Sequence, residues 1–520
     1  MLDWIETLLT NQESCVINGG MTTKYFKLER GARQGDPIAA YLFIIALEML
    51  FIMIKNDNNV NPIQMCDSTF LYSAYADDVY FCLKDRESVK VLMNLIKIFS
   101  KYSDLKPNYS KCEIAGFGIL KGVTGALCGL TPVDLTQSTI KLLGMHYSYN
   151  ETLKNEKNFT ETVKKIERVL QIWRQRFLTL QGKITIFKSL AISKIVFIAY
   201  LANFPDYILK TLKKIQNDFL WNGKRAKLKH QTLCNSYEMG GLQSVDIDFK
   251  IKALQLSWIK RLFDENEHQW KIIPRFFIKK FGSYAFHTQF SPKNGCLREI
   301  PKFYKNLIEQ WNYCSNSPQD AVNIFSQCLW HNINLKIDNN TFFIQEFASS
   351  GLNHIYQLFN QNGQAKTWNQ LKIEFHLNPI WNFKYVQLID SIPRRWKQII
   401  YENNDQINNI NTNLGILQCT RIVPLENLTS KQIYTILIRK RDHTPTSKTY
   451  YNMFFDQPTN WLSIYMLPRK VTKNAYAQIF QYKILNNILY LNDKLFQFGL
   501  SETRQCSFCN NHIKTLPHIF

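Results

Sequence analysis

A chain of 520 residues and 61.2 kDa has room for about three or four domains, and a hydrophobic share of 45% excludes wholesale disorder. Lys+Arg outnumber Asp+Glu by 63 to 41, a formal +22, which favours a polyanionic partner, most often nucleic acid; a basic but merely solvated surface is the alternative. Twelve scattered cysteines, with only Cys506 and Cys509 close together, exclude a disulfide scaffold and fit a reducing compartment, nucleus or cytoplasm, and Asp3 and Glu6 interrupt any signal-peptide pattern at the start.

In chain order, residues 1–145 read as mixed α and β. A helix is expected over residues 2–10, then a hairpin in which Asn18-Gly19-Gly20 turns the chain between strands at 14–17 and 24–28. Residues 37–54 are apolar except for Glu48, nearly long enough to span a bilayer. An acid inside a span is costly, and Asp36 as N-cap with Pro37 at the first helical position marks a soluble start. A buried core helix over 37–55 is therefore expected, and no membrane partner.

Residues 70–83 (FLYSAYADDVYFCL) are apolar on both sides of Asp77 and Asp78. Valine, tyrosine and phenylalanine favour strands, so the two acids should sit at the bend of a β-hairpin. Carboxylates without a partner are costly to bury. They either belong to an exposed turn or hold a cation, and hard Mg²⁺ takes such oxygen ligands. A helix over 86–102 follows, with apolar spacing Val89, Leu92, Leu95, Ile96 and Phe99.

Residues 158–204 turn helical and basic. Val163, Ile166, Val169, Leu170 and Trp173 recur at helical spacing among Lys164, Lys165, Arg168 and Arg174. Such a cationic face suits tracking a duplex by its phosphates, and a plain solvated helix is the alternative. Beyond it lie Phe219-Leu220-Trp221-Asn222-Gly223, a basic run at 224–229 and Gly240-Gly241-Leu242. Residues 403–413 (NNDQINNINTN) read as a linker, and 469–491 as a basic amphipathic helix. Cys506-x-x-Cys509 with His518 is the front of a zinc-site spacing; tetrahedral zinc needs four ligands, and His512 is a candidate for the fourth. An ordinary reactive cysteine pair is the alternative.

Arg30-Gly31-Ala32-Arg33-Gln34-Gly35-Asp36-Pro37, the apolar helix after it, and Tyr75-Ala76-Asp77-Asp78 resemble, in that order, the palm of reverse transcriptases. The likeness is greatest to non-long-terminal-repeat (LINE-type) retrotransposons. Leu105-Lys106-Pro107-Asn108 with Ser110-Lys111-Cys112 resembles the segment after the catalytic hairpin, and Lys141-Leu142-Leu143-Gly144-Met145-His146-Tyr147 the hairpin that grips the primer. Trp173, Arg176, Gly182-Lys183-Ile184 and Phe187-Lys188 resemble the thumb.

The resemblance implies an α+β fold: a partial polymerase palm, an antiparallel sheet with helices, over 1–145, and a thumb-like helical region over 146–260. A helical and linker region of unknown role would fill 261–425, and a helical C-terminal region 426–520, ending in an incomplete zinc-finger-like motif. It implies that Asp77 and Asp78 are catalytic ligands of Mg²⁺ (or Mn²⁺), and that Tyr75 lies against the nascent pair. Gln34 and Gly35 would approach the template–nucleotide pair, Arg33 phosphate or template, and Lys111 the triphosphate. Cys506, Cys509 and His518 would hold Zn²⁺. The implied partners are an RNA template, a DNA primer and deoxynucleoside triphosphates. In that family a first palm strand supplies another Asp ahead of the Arg-Gln-Gly-Asp-Pro segment, and Asp3 lacks its context. The expectation is thus a reverse transcriptase truncated at both ends and inactive by itself, with a non-catalytic RNA- or DNA-binding remnant as the alternative.

Overall fold

The computed structural model describes residues 2–28, 35–121, 138–279, 286, 290–291, 300–405, 415–418, 421–441, 443–453 and 459–519. The chain divides into two compact units, Met1–Lys154 and Asn155–Phe520.

The first unit opens with α1 (Leu2–Leu9) and a nested pair of short ladders: β2 (Ile17–Asn18) pairs with β3 (Met21–Thr22) inside β1 (Glu13–Ser14) and β4 (Phe26–Lys27). Gly19 and Gly20 both have positive φ, +59° and +84°, as the two-residue turn of a twisted hairpin requires. The apolar helix α2 spans Ala39–Asn56, two residues later than expected. Asp36 does not cap it: its Oδ1 accepts from the Ile38 N–H at 3.0 Å, and Pro37 lies in that turn. Nor is α2 buried all round. Leu50, Phe51 and Ile54 are buried, whereas Tyr41, Ile44, Ile45, Met49 and Ile52 are exposed. The covered side is the one that faces β7 (Tyr72–Tyr75) and α3 (Arg86–Ser103), where Phe51 stacks on Tyr72 at 4.3 Å and Leu50 and Ile54 share a core with Leu92 and Phe99.

Between these helices run β5 (Ile63–Met65), β6 (Ser68–Phe70), β7 and β8 (Asp78–Phe81). Each sheet among the described residues has two strands, so the antiparallel palm sheet expected from the sequence is divided into separate ladders, β5–β6 and β7–β8. A bridge from Pro62 to Leu83, with Ile63 N–H donating to the Cys82 carbonyl at 3.4 Å, ties one to the end of the other. Asp85 caps α3 by accepting from the Ser88 N–H at 2.8 Å, which holds its carboxyl below the usual range. The unit closes with β9 (Thr139–Leu142) and β10 (Met145–Ser148), turned through Leu143 and Gly144 at φ +45° and +86°.

The second unit is mostly helical, with one antiparallel ladder among its described residues, between Gly415–Gln418 and Arg421–Pro424. After α4 (Glu151–Asn155) and a π turn, α5 (Glu161–Arg174) buries Val163, Ile166 and Leu170 of the five positions its spacing marked and leaves Val169 and Trp173 half-buried. α6 (Leu180–Ile186) runs through a second π turn into α7 (Ser193–Leu201), followed by α8 (Asp206–Trp221), α9 (His230–Cys234) and α10 (Ile247–Phe263). α2 and the stretch Leu180–Leu201 are both long and apolar enough to cross a membrane by length and composition alone. Lys183 is buried, not presented: it donates to the Leu220 carbonyl at 3.2 Å and to Asn222, closing the end of α8.

Among the described residues, three of the unit's apolar clusters show how its helices are joined. Leu220, Leu233 and Leu242 pack with Ile184, Ile479 and Tyr482, so the helix Ala475–Leu485 lies on α6. A second core joins Ala253, Leu256 and Ile259 of α10 to Trp311, Ile416, Ile433 and Leu437. A third gathers Phe325, Trp330, Phe347, Leu388 and Ile400, giving residues 321–400 a centre of their own. Most of the linker expected at 403–413 lies outside the described residues.

Candidate active site and nucleic-acid interface

The acidic pair sits where the strand pattern put it. β7 and β8 are joined by a two-residue turn, Ala76-Asp77, and Tyr75 faces Asp78 across the ladder. Three other hairpins of this unit have positive φ at both turn residues, whereas here only Ala76 does, at +53°. An alanine so placed carries strain of about 1–2 kcal/mol.

Strand alternation sorts the neighbours by face. Tyr72 and Phe81 pair and point to α2, with ring centroids 6.4 Å apart. Tyr75, Asp78, Ser73 and Tyr80 take the opposite face. Asp77 and Asp78 are both exposed, and Tyr75 is 71% exposed. Neither acid has a hydrogen-bond or ion-pair partner among the described residues, and no third carboxylate, histidine or cysteine there completes a metal-sized cluster with them. Two adjacent carboxylates with no cation of their own, at the tip of a hairpin fixed from below, suit a hard divalent ion that takes its remaining ligands elsewhere.

A tyrosine that the sequence reading passed over fixes this hairpin from its open face. Tyr80, two residues from Asp78, accepts from the Leu143 N–H at 3.0 Å and so joins the acidic hairpin to β9–β10. Tyr147 of β10 lies near enough for burial, and then Tyr80, to push its phenol pKa up. Asp85, with Ser88 three residues on at a helix start, was visible as a cap signal and was also missed.

Of the remaining expected residues, Arg33 and Gln34 lie outside the described residues. Gly35 has φ +95°, a backbone conformation that explains glycine there, and a Cβ would meet nothing within 4 Å. Lys111 is exposed on the 3₁₀ turn Tyr109–Lys111 and forms no ion pair with either acid.

At the other end of the chain, Cys506, Cys509 and His518 present ligand atoms all within 4.8 Å of one another. The loop is held by the bridge Gln505–Ile513 and by the Cys506 N–H donating to the His512 carbonyl at 2.7 Å. N–H groups of Phe508 and Cys509 pointing at the Cys506 sulfur lower its thiol to about 7. Cys509 Sγ and His518 Nε2 are 3.3 Å apart, close to the edge of a tetrahedral zinc site. The His512 and His518 ring centroids are 5.3 Å apart, but His512 is not a member of the cluster. All nine described cysteines are free thiols.

Lys164, Lys165, Arg168 and Arg174 line the solvent side of α5, opposite its buried stripe. The cationic face is present as a surface.

Residues 1–147, which include the exposed Asp-Asp turn and the apolar helix beneath it, match the reverse transcriptase (RNA-dependent DNA polymerase) family. The chain is also 23% identical over 348 residues, 64% of its length, to the Transposon TX1 uncharacterized 149 kDa protein of Xenopus laevis, and spans 26% of that relative. Both findings bear out the resemblance to retrotransposon reverse transcriptases.

Proposed function

We propose that the chain serves RNA-templated DNA synthesis in a retrotransposon, with the turn Ala76-Asp77-Asp78 as the metal-holding edge of the palm. The observation that carries this reading is the pair of exposed carboxylates, without a partner among the described residues, on a hairpin fixed from both faces, by Phe51 and Tyr72 beneath and Leu143 and Tyr80 above. A bound pair of Mg²⁺ or Mn²⁺ ions would stabilise the attacking and leaving oxygens of phosphodiester formation. Asp77 and Asp78 hold that charge in place, Tyr75 offers its ring to the nascent base pair, and Gly35 leaves open space on the template side. The substrates are an RNA template, a DNA primer and deoxynucleoside triphosphates, and α5 meets duplex phosphates through Lys164, Lys165 and Arg168 in the manner of a thumb.

Among the described residues only these two acids gather at the turn, and a further carboxylate beside them would tighten their hold on the metal pair. Joined to a reverse transcriptase palm strand carrying a further Asp, the chain extends a DNA primer on RNA, and Asp77→Ala abolishes extension. Extension that survives Asp77→Ala would overturn the assignment. The second reading, a nucleic-acid-binding protein without catalysis, draws on there being no third ligand beside these acids among the described residues. It predicts salt-sensitive binding of RNA or DNA that is indifferent to Asp77→Ala.

Cys506, Cys509 and His518 are the candidate ligands of a structural Zn²⁺, on the strength of their spacing and of a thiol already biased toward thiolate. Cobalt(II) titration reads this directly: tetrahedral thiolate absorption with wild type and none with Cys509→Ser supports it, and no absorption with wild type refutes it. The free thiols fit an intracellular, reducing setting.

A further inference from the structure

Two stretches far apart in sequence contain no carboxylate. Residues 168–205 carry Arg168, Arg174, Arg176, Lys183, Lys188 and Lys194 with no Asp or Glu, and residues 461–492 carry Arg469, Lys470, Lys473 and Lys483 with none. The fold packs one against the other. Ile479 and Tyr482 share a core with Leu180 and Ile184. The Arg469 guanidinium lies 3.3 Å above the Tyr237 ring and donates to Gln181 Oε1 at 3.3 Å. The Tyr476 hydroxyl donates to the Phe177 carbonyl at 3.5 Å.

What the joint leaves outside is aromatic and cationic. Phe177 is 98% exposed, Tyr476 67% and Phe480 52%. Tyr476 and Phe480 stand four residues apart, on one face of their helix. Arg174, Arg176, Lys470 and Lys473 are exposed around them. Water-facing rings of this size gain nothing from folding, and a border in which Arg174, Arg176, Lys470 and Lys473 outnumber the exposed acid Glu238, on the turn beside Arg469, attracts a polyanion. Single strands combine the two requirements: bases stack on aromatic faces while the backbone follows positive charge. A duplex keeps its base faces covered and satisfies only the second.

We propose that the loop at 175–177 after α5 and the first turns of the helix Ala475–Leu485 form a stacking platform for unpaired nucleotides, with Arg174, Arg176, Lys470 and Lys473 on the flanking phosphates. This rests on the nucleic-acid reading above and extends it to an unpaired strand held by the second unit.

Fluorescence anisotropy of the full chain with labelled oligo(U), and with an RNA duplex of equal length, tests it. Phe177→Ala and Tyr476→Ala each weaken oligo(U) binding by about 5- to 100-fold and leave duplex binding within about twofold. Tyr476→Phe keeps the ring, loses the hydroxyl and binds as wild type. Oligo(U) binding unchanged in Phe177→Ala, a residue too exposed to carry the fold, overturns the platform, and so does an equal loss for single strand and duplex. In either case a wild type that binds the duplex keeps the nucleic-acid reading, whereas a wild type that binds neither ligand overturns both.

Discussion

The Tyr80 hydroxyl accepts the Leu143 N–H at 3.0 Å, so a bond between residues 63 apart in sequence holds the acidic hairpin and the β9–β10 hairpin together. The bond reaches the strand directly beside Asp78, and its loss loosens the platform that holds the carboxylates. A neutral hydrogen bond of this kind contributes about 0.5–1.5 kcal/mol net. Tyr80→Phe should therefore speed amide exchange at Leu143 by about 2- to 10-fold and leave the core of α3 around Leu92 unchanged. Hydrogen exchange read by mass spectrometry on the 138–148 peptide is the measurement, and identical exchange in both proteins would show that the bond holds nothing.

Ala76 is the strained point of the same hairpin, at φ +53° with a Cβ to accommodate. Relief of the left-handed penalty, about 1–2 kcal/mol, outweighs the extra chain entropy of glycine, about 0.5–1 kcal/mol, so Ala76→Gly should stabilise slightly. Ala76→Val, with a branched Cβ, should destabilise by more than about 1 kcal/mol. Urea unfolding followed at the N-terminal unit distinguishes the order Gly, Ala, Val from its reverse.

How much of this was legible in the sequence follows from how local each signal is. The Gly19-Gly20 turn, the acidic bend and the buried stripe of α5 are set by neighbours in sequence, and all three were readable. Alternation named the strands of β7–β8 but not their separation from β5–β6, because pairing between ladders is a long-range choice. The apolar run of α2 gave its helix correctly and its burial wrongly: composition records what a face is made of, not what covers it. Lys183 was named only as part of a thumb-like segment, and its ammonium is folded inward to cap α8, a contact 39 residues away that no local pattern announces. The Tyr80–Leu143 bond is hidden for the same reason.

Gly240-Gly241 stood out in the sequence without a reason, and the fold supplies one. A Cβ on Gly241 would lie 2.1 Å from the Asn235 carbonyl oxygen, and one on Gly240, at φ +75°, would lie 2.7 Å from the Tyr465 ring. Backbone cannot yield as a side-chain tip can, so Gly241→Ala is the harsher change. It should lower stability of the second unit by more than about 2 kcal/mol, since overpacking costs about 1–3 kcal/mol and here meets main chain. Gly351→Ala is the control, because it has a positive φ of +93° but nothing within 4 Å of its Cβ. Thermal melting of the two variants should place Gly241→Ala well below Gly351→Ala, and equal melting points would refute the close approach.

Acid should weaken the second unit before its carboxylates titrate. Burial lowers the pKa of His230, His354 and His443, all in that unit, below the ordinary 6.5. Above that value the imidazoles are neutral in folded and unfolded chain alike and contribute no pH dependence. As pH falls through 6.5 the unfolded chain takes up protons that the buried rings refuse, so stability declines until the folded pKa values are passed. His354 is held with Nδ1 3.1 Å from the Ser326 carbonyl, and His230 sits against Cys234, Asp246 and Arg441. The melting temperature of the second unit should therefore drop between about pH 7 and pH 5.5, and His354→Gln, whose amide can still donate to Ser326, should flatten part of the slope. A melting profile level across that interval would mean that these rings take up their protons without unfolding anything.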